Sequence, residues 1–282
     1  CSCLHASEGF VYSGSFDGVI VSTSLISGVS VKLKGDNRNN VSGSIHNGKV
    51  VGVSLSGDMV ASVGFDDTLR FSKNDVLQSS VSLTGQPSAV ACSPSSDVTV
   101  VTTSAGVYVF RGQTEVCKLD SLSYAATCVA IFGESEIAVG GDDMKTHIYS
   151  IADNTFSVIT AIETRSAVSC VSYNPTGEFL AIGDNGRQVE VYERSTWSAK
   201  VKGRWVFHTS KITCMAWAPN GKSLASGSFD ESIIIWNLDK VGSKTQYQFA
   251  HAGGVTSVSW ADDQKLISTG NDHAIVEWNI QA

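Results

Sequence analysis

The chain has 282 residues, of which 42% are hydrophobic, and a net charge of −7. That length suffices for a large core, while the acidic balance argues against nucleic acid, whose phosphates need a basic surface. No apolar run approaches the roughly 20 residues that cross a bilayer and no signal peptide is visible, so the expectation is a cytosolic protein without a membrane partner.

In chain order, short apolar strands alternate with tight turns. The first turn holds Asp17, and Gly28-Val-Ser-Val-Lys-Leu-Lys34 after it alternates polar with apolar residues, as a half-exposed rim strand does. Gly35-Asp-Asn-Arg-Asn-Asn40 reads as a solvated loop. Equivalent turn positions follow at Asp66, Ser104, Asp143 and Gly186. The sixth unit is the plainest. Lys211-Ile-Thr-Cys-Met-Ala-Trp217 is an inner strand a, and Ala218-Pro-Asn-Gly221 is a turn in which Pro presets φ and Gly tolerates positive φ. Strand b then runs from Lys222 to Ser228, Asp230 sits in the b–c turn, strand c is Ser232 to Asn237, and Thr245-Gln-Tyr-Gln-Phe249 is the outer strand d. The seventh unit repeats Ser226 to Trp236 as Ser268 to Trp278.

The six intervals from Asp17 to Asp272 average about 42.5 residues. A period of about 40–45 with a Trp-terminated third strand signals an all-β fold, a seven-bladed β-propeller of WD repeats forming one closed domain over 1–282. Aligned on the seventh unit, Cys1 falls opposite Thr256 with no residue inserted or lost down to Asp17. The chain would then start inside a strand and end at Gln281-Ala282, leaving the last blade without an outer strand of its own. An open edge of unpaired backbone groups is costly and sticky. The expectation is therefore a piece of a longer polypeptide, with the closing strand encoded upstream of Cys1.

Seven Cys are present and none forms a CxxC pair. Cys128, Cys170 and Cys214 each stand three residues before one repeat position (Ile131, Tyr173, Trp217), an inner-strand site where a small side chain packs well. Buried free thiols in a reducing compartment are expected, ahead of metal or disulfide chemistry.

Two polar sets recur at the blade period: His208, Ser226, Asp230 and Trp236, then His251, Ser268, Asp272 and Trp278. Ser, His and Asp together could form a nucleophilic triad. Repetition alongside a Trp whose N–H needs an acceptor favours a structural tetrad instead, tying strands b and c to the d–a loop. The second unit keeps His46, Ser62 and Asp66 but carries Ser72 in the Trp place. Units three to five have Phe110, Tyr149 and Tyr192 there and lack the His, and are expected to rely on packing. Gly140-Gly141 and Gly183-Asp-Asn-Gly186 open no helix, so they read as turns and not as phosphate loops. Asp142-Asp143 and Asp66-Asp67 read as solvated turn carboxylates, with calcium binding the less favoured alternative. No catalytic, cofactor or metal site stands out.

Trp197 to Lys211 concentrates Lys200, Lys202, Arg204 and Lys211 with Trp197 and Trp205 between the fifth and sixth units. In an acidic chain this is a local positive patch with aromatic anchors, a composition favoured at interfaces. Lys200, Lys202, Arg204, Trp205 and Lys211 are the candidate partner-binding residues. The competing reading is that Trp205 and Phe207 pack between blades.

The stretch from Trp205 through Trp217 to Asp230 resembles the penultimate repeat of the actin-interacting protein 1 family, WD-repeat partners of cofilin. His251 to Ile280, His46 with Gly64-Phe-Asp-Asp-Thr-Leu-Arg-Phe71, and Gln86-Pro-Ser-Ala-Val-Ala-Cys-Ser93 extend the resemblance over essentially the whole chain. It implies the C-terminal of two tandem seven-bladed propellers, with an upstream propeller as neighbour. It also implies a cytoplasmic, cytoskeletal, non-enzymatic protein that binds actin filaments and ADF/cofilin and promotes severing and disassembly. The family's better-defined actin contacts belong mainly to the other propeller, so none transfers to positions here. The alternative is a general WD-repeat scaffold with no actin role; an enzyme ranks third, because no activated nucleophile lies outside the tetrads.

Overall fold

The structure, a computed structural model, describes residues 1–7, 9–35 and 43–280. Among these, 27 strands form seven antiparallel sheets. The first holds β1 (Cys3–Ser7), β2 (Phe10–Gly14), β3 (Ile20–Ser24) and β4 (Ser30–Lys32), and the second β5 (Val50–Ser56), β6 (Met59–Gly64), β7 (Thr68–Lys73) and β8 (Val76–Ser82). The third holds β9 (Pro87–Cys92), β10 (Val98–Thr103), β11 (Gly106–Arg111) and β12 (Thr114–Asp120), and the fourth β13 (Ala126–Phe132), β14 (Glu136–Gly141), β15 (Lys145–Ala152) and β16 (Thr155–Glu163). The fifth holds β17 (Val168–Tyr173), β18 (Phe179–Asp184), β19 (Val189–Glu193) and β20 (Ser198–Trp205). The sixth holds β21 (Ile212–Trp217), β22 (Ser223–Ser228), β23 (Ile233–Asn237) and β24 (Lys244–Tyr247), and the last β25 (Val255–Trp260), β26 (Lys265–Gly270) and β27 (Ile275–Asn279).

Each sheet is a meander whose first strand packs against the first strand of the next sheet, and β25 returns to β1. The ring is the expected propeller of seven blades. Exposure follows strand position. β10 and β14 are buried along their whole length, whereas the outer β8 alternates exposed and half-buried residues. Core clusters straddle neighbouring blades, as where Val191 and Trp205 of blade 5 meet Ile212 and Trp236 of blade 6. The seventh sheet has three strands among the described residues, as expected, and the outer edge of β27 has no partner strand there. The loop read at Gly35 to Asn40 lies outside the described residues beyond Gly35, as do Gln281 and Ala282.

One contact recurs around the ring. Cys3, Cys128, Cys170 and Cys214 on the innermost strands pair in register with Gly14, Gly140, Gly183 and Gly227 on the adjacent strands. A Cβ at Gly14, Gly183 or Gly227 would lie 2.6, 2.7 and 2.7 Å from the facing sulfur. On its other side it would press on Val50, Ile212 or Val255 of the following blade. Cys128 and Cys170 are thus buried at the expected inner-strand site, and Cys214 is half-buried there. The hydroxyl residue before three of these Cys reaches the next blade: Ser2, Thr127 and Thr213 donate to the carbonyls of Val50, Val168 and Val255 at 2.6–2.7 Å. Closure uses other groups, Ala6 N–H donating to Ser259 Oγ at 3.0 Å and Ser257 Oγ to the Leu4 carbonyl at 3.3 Å.

The gap-free alignment of the first unit on the seventh needs a correction. Cys3 pairs with Gly14 as Ser257 pairs with Thr269, so Cys1 is opposite Val255 and not Thr256. Only two positions separate the paired Ser7 and Phe10, against three between Ala261 and Lys265, which takes up the difference.

The close approach at Gly183 makes a sharp expectation. Gly183→Ala should destabilise the protein by about 1–3 kcal/mol through overpacking. Adding Cys170→Ala should return part of that loss, because the sulfur is the nearest obstruction. Chemical denaturation of both single variants and the double variant measures the coupling; strict additivity would place the strain elsewhere.

Candidate functional site

The b–c turns and d–a connections share one end of the ring, here the loop face. In blade 6, Trp236 Nε1 donates to Ser226 Oγ at 2.8 Å, Ser226 Oγ lies 2.8 Å from His208 Nε2, and His208 Nδ1 lies 3.0 Å from Asp230 Oδ2. Blade 7 repeats the chain through Trp278, Ser268, His251 and Asp272 at 2.7, 2.7 and 3.0 Å. With Nδ1–H donated to the carboxylate, Nε2 accepts the seryl proton and every member is satisfied. This is the hydrogen-bond order of a nucleophilic triad, yet Ser226 and Ser268 are 0% exposed and each already receives an indole N–H. No substrate atom can reach either hydroxyl. Each chain of bonds ties strands b and c to the d–a connection.

The carboxylates also hold the loops. Asp230 Oδ2 accepts the Thr209 N–H at 2.7 Å and Asp66 Oδ2 the Asn47 N–H at 2.9 Å, pinning the d–a connection to the b–c turn. Burial pushes both carboxyls up, but hydrogen bonds from His208 and His46, from the neighbouring hydroxyls and from these N–H groups outweigh it and hold both well below the usual carboxylate range. In blade 2, Arg70 bonds Thr68 and the Ile45 carbonyl and reaches Asp66 at 3.4 Å. Ser72, in the Trp place, is buried with its hydroxyl unpartnered among the described residues.

Blades 4 and 5 do not rely on packing alone, contrary to expectation. In blade 4 the Tyr124 hydroxyl bonds that of Tyr149 at 2.9 Å, its ring stacks on His147 at 4.0 Å, and His147 Nε2 lies 3.0 Å from Asp143. In blade 5 Gln188 and Tyr192 both donate to Glu190, at 2.8 and 2.7 Å. Blade 3 packs Phe110 edge-on to Phe71 at 6.4 Å and likewise adds polar ties: Ser104 Oγ accepts the Gln86 N–H at 3.0 Å, and the Thr103 and Tyr108 hydroxyls donate to the Thr84 carbonyl at 2.9 and 3.3 Å. Of the paired turn acids, Asp142 accepts the Ala125 N–H at 2.8 Å while Asp66 and Asp143 serve their His partners. No cluster of three or more metal-ligating side chains occurs among the described residues.

The basic-aromatic tract divides. Trp205 is 1% exposed, stacked on Trp236 at 5.0 Å with its N–H on the Val241 carbonyl at 3.0 Å. It anchors blade 5 to blade 6 and is removed from the candidate contact residues, because a sealed ring offers no surface. Phe207 remains 52% exposed, with the Lys244 ammonium 4.1 Å from its ring centre. Lys200, Lys202 and Arg204 are exposed on β20, the rim strand of blade 5. Lys202 lies 3.3 Å from the Tyr192 hydroxyl, and Lys200 is 3.9 Å from Glu193. Lys211 stands apart on the loop face, its ammonium 4.4 Å from the exposed ring of Phe229. Phe229, with Phe16 and Phe65 at the same turn position, was not singled out from the sequence. The signal available was a Phe directly before the turn Asp in three units.

Comparison with known proteins follows these blades. The model of the WD domain, G-beta repeat, matches residues 156–193, 200–237 and 243–279. The chain belongs to the WD-repeat family. Each match begins in one blade's outer strand and ends with strand c of the next, so the WD sequence repeat is offset by one strand from the structural blade. The chain is 32% identical to a 66 kDa stress protein of Physarum polycephalum and 30% identical to actin-interacting protein 1 of Drosophila melanogaster, each over 96% of this chain and 44% of that protein. It is 28% identical to WD repeat-containing protein 1 of Gallus gallus over 99% of this chain and 46% of that protein. The resemblance read from the last two repeats is thus borne out, and the chain spans a little under half the length of these relatives. A chain in the crystal structure of a mitotic checkpoint complex superposes with a TM-score of 0.82 at 16% identity, covering 100% of this chain and 87% of that one. That likeness is one of fold.

The WD tetrads imply an acid-labile contribution to stability. Because the folded carboxyls of Asp66 and Asp230 lie below their unfolded value near 3.8, their stabilisation is full above that pH. It is lost as pH falls toward the depressed folded values. Denaturation midpoints of the wild type should drop steeply below about pH 4, and Asp66→Asn with Asp230→Asn should flatten that drop. Asp230→Ala at neutral pH should cost about 1–3 kcal/mol by leaving the Thr209 and Ser232 N–H groups without their acceptor and His208 Nδ1 with only the Ser232 hydroxyl.

Proposed function

We propose that this propeller is a non-enzymatic binding platform for actin filaments carrying ADF/cofilin, acting in filament severing and disassembly in the cytoplasm. The observation that carries this reading is the alignment of nearly the whole chain with proteins named actin-interacting protein 1, at 30% identity in Drosophila melanogaster and 29% in Caenorhabditis elegans. The sealed Ser–His–Asp sets support a binding role over a hydrolytic one. The relatives are more than twice as long, and among the described residues the outer edge of β27 in blade 7 has no partner strand. Both features support placing this domain as the C-terminal of two tandem propellers, with a strand from upstream completing the last blade.

Lys200, Lys202 and Arg204 form the rim contact in this reading. A cationic strand on an acidic domain orients docking against carboxylate-rich filaments and speeds encounter, with an effect screened by salt. Co-sedimentation of the full-length protein with cofilin-decorated actin filaments tests the proposal. Wild-type protein should pellet with the filaments, less so as salt rises, and reversing all three rim charges should weaken binding. Absence of wild-type co-sedimentation would sink the actin reading and leave a general scaffold. Unchanged binding of the triple variant, with circular dichroism confirming the fold, would remove only the rim patch.

A further inference from the structure

The loop face is uneven, and the unevenness is not required by the fold. The residue just before the turn position donates its backbone N–H to the residue just before strand a in blade after blade. Phe65 donates to Lys49 at 2.9 Å, Asp142 to Ala125 at 3.1 Å, Asn185 to Ala167 at 2.9 Å, Phe229 to Lys211 at 3.2 Å and Asn271 to Gly254 at 3.1 Å. The bond is made by main chain, so any side chain serves it, and blades 4, 5 and 7 use Asp or Asn. Blades 1, 2 and 6 instead place Phe16, Phe65 and Phe229 there, 52%, 50% and 42% exposed. Leaving three large aromatic side chains in water where polar ones satisfy the same turn calls for a role outside the fold.

The cations beside them follow the same arc. The Lys49 ammonium lies 4.8 Å from the Phe16 ring centre and 5.6 Å from that of Phe65, bridging blades 1 and 2. Lys211 covers Phe229 at 4.4 Å, and at the equivalent place in blade 7 Gly254 leaves Phe229 room to lie across the blade boundary. Neither ammonium has a carboxylate partner among the described residues. The nearby acids are committed: Asp66 and Asp230 to His46 and His208, Asp17 to Ser15 and the Val19 N–H, Glu231 to the Gly253 N–H. Asp67, at the turn of blade 2, has no side-chain ion pair among the described residues.

We propose that Phe16, Phe65 and Phe229, with Lys49 and Lys211, form a docking surface along the loop face of blades 6, 7, 1 and 2 for a protein surface that presents carboxylates beside apolar side chains. The rings supply rigid apolar area and the unpaired ammonium groups select acidic partners. The occupant rests on the actin reading, in which it is the cofilin-decorated filament, and the surface is distinct from the rim strand β20.

The test compares full-length wild type with Phe16→Ala/Phe65→Ala/Phe229→Ala and with Lys49→Glu/Lys211→Glu in co-sedimentation with cofilin-decorated actin filaments. Melting curves should be near wild type, because the replaced side chains are exposed. The aromatic variant should bind about tenfold or more weakly. The lysine variant should bind more weakly and lose part of the salt dependence of the wild type. Wild-type affinity in both variants would overturn the surface and leave the actin reading intact. Wild-type protein that does not pellet would defeat the actin reading and, with it, this occupant. A wild-type dimer in sedimentation velocity that the aromatic variant converts to monomer would assign the face to a second copy and overturn the proposal.

Discussion

Everything in this ring depends on how closely neighbouring sheets approach at its centre. Seven twisted sheets close only if each innermost strand nests against the next, and in blades 1, 4, 5 and 6 a strand-b glycine there receives a thiol from its own blade and a β-branched side chain from the following one. Interiors are packed like crystals, so one extra carbon there displaces a whole blade edge. Cysteine suits the position by size. Burial pushes the thiols of Cys128 and Cys214 up to about 12, which leaves them protonated and chemically quiet at neutral pH. Their regular spacing reflects packing volume.

Outside that inner layer each blade faces a second problem, which is to hold the b–c turn against the d–a connection without leaving buried polar groups unpaired. The Trp–Ser–His–Asp chain is one solution and blades 6 and 7 use it whole. Blade 4 reaches an equivalent end with two tyrosines, a histidine from strand c and Asp143. In blade 5 Gln188, Glu190 and Tyr192 satisfy one another along strand c, while the Asn185 N–H on the Ala167 carbonyl holds the turn to the d–a connection. The two networks share only the Tyr in the Trp place, Tyr149 and Tyr192, and blade 5 carries Gly186 where blade 4 has Asp143, so the constraint is polar satisfaction and not a particular side chain. Blade 2 shows the cost of partial loss. Replacing Trp by Ser72 strands a buried hydroxyl, while Arg70 supplies Asp66 with an added partner.

This explains what the sequence could reveal. The period, the blade number, the tetrads of blades 6 and 7 and the missing outer strand were legible because they rest on local signals: turn residues, alternation and a repeated Asp-to-Trp spacing. The one-residue offset in blade 1 was not, because a tighter hairpin and a longer one leave the same count down to the turn when no structure fixes the register. The replacement networks were hidden for a related reason. Tyr124 and His147 do not occupy the places where a WD repeat keeps its polar partners, so only contact geometry brings them together. In sequence Trp205 is open to two readings, partner contact and packing between blades, because the sequence does not say which way its ring turns; its place in the alternation of β20 turns it onto Trp236, as the packing reading has it.

The intact tetrads and the aromatic arc fall on overlapping parts of the ring, and a physical link joins them. In blades 2, 6 and 7 the turn carboxylate accepts the backbone N–H of the residue that follows the histidine, Asn47, Thr209 or Ala252. Two residues further on stand Lys49, Lys211 and Gly254. The same acid, through its backbone, sets where the preceding Phe projects. Histidine and aspartate therefore lie beneath both halves of the Phe65–Lys49 and Phe229–Lys211 pairs, with the charges consumed internally and the ammonium groups left outward. Blade 1 borrows its cation from blade 2, which makes the blade boundary itself part of the surface. A face held this way loses little conformational entropy on meeting a partner, because its loops are already ordered by the network that stabilises the fold.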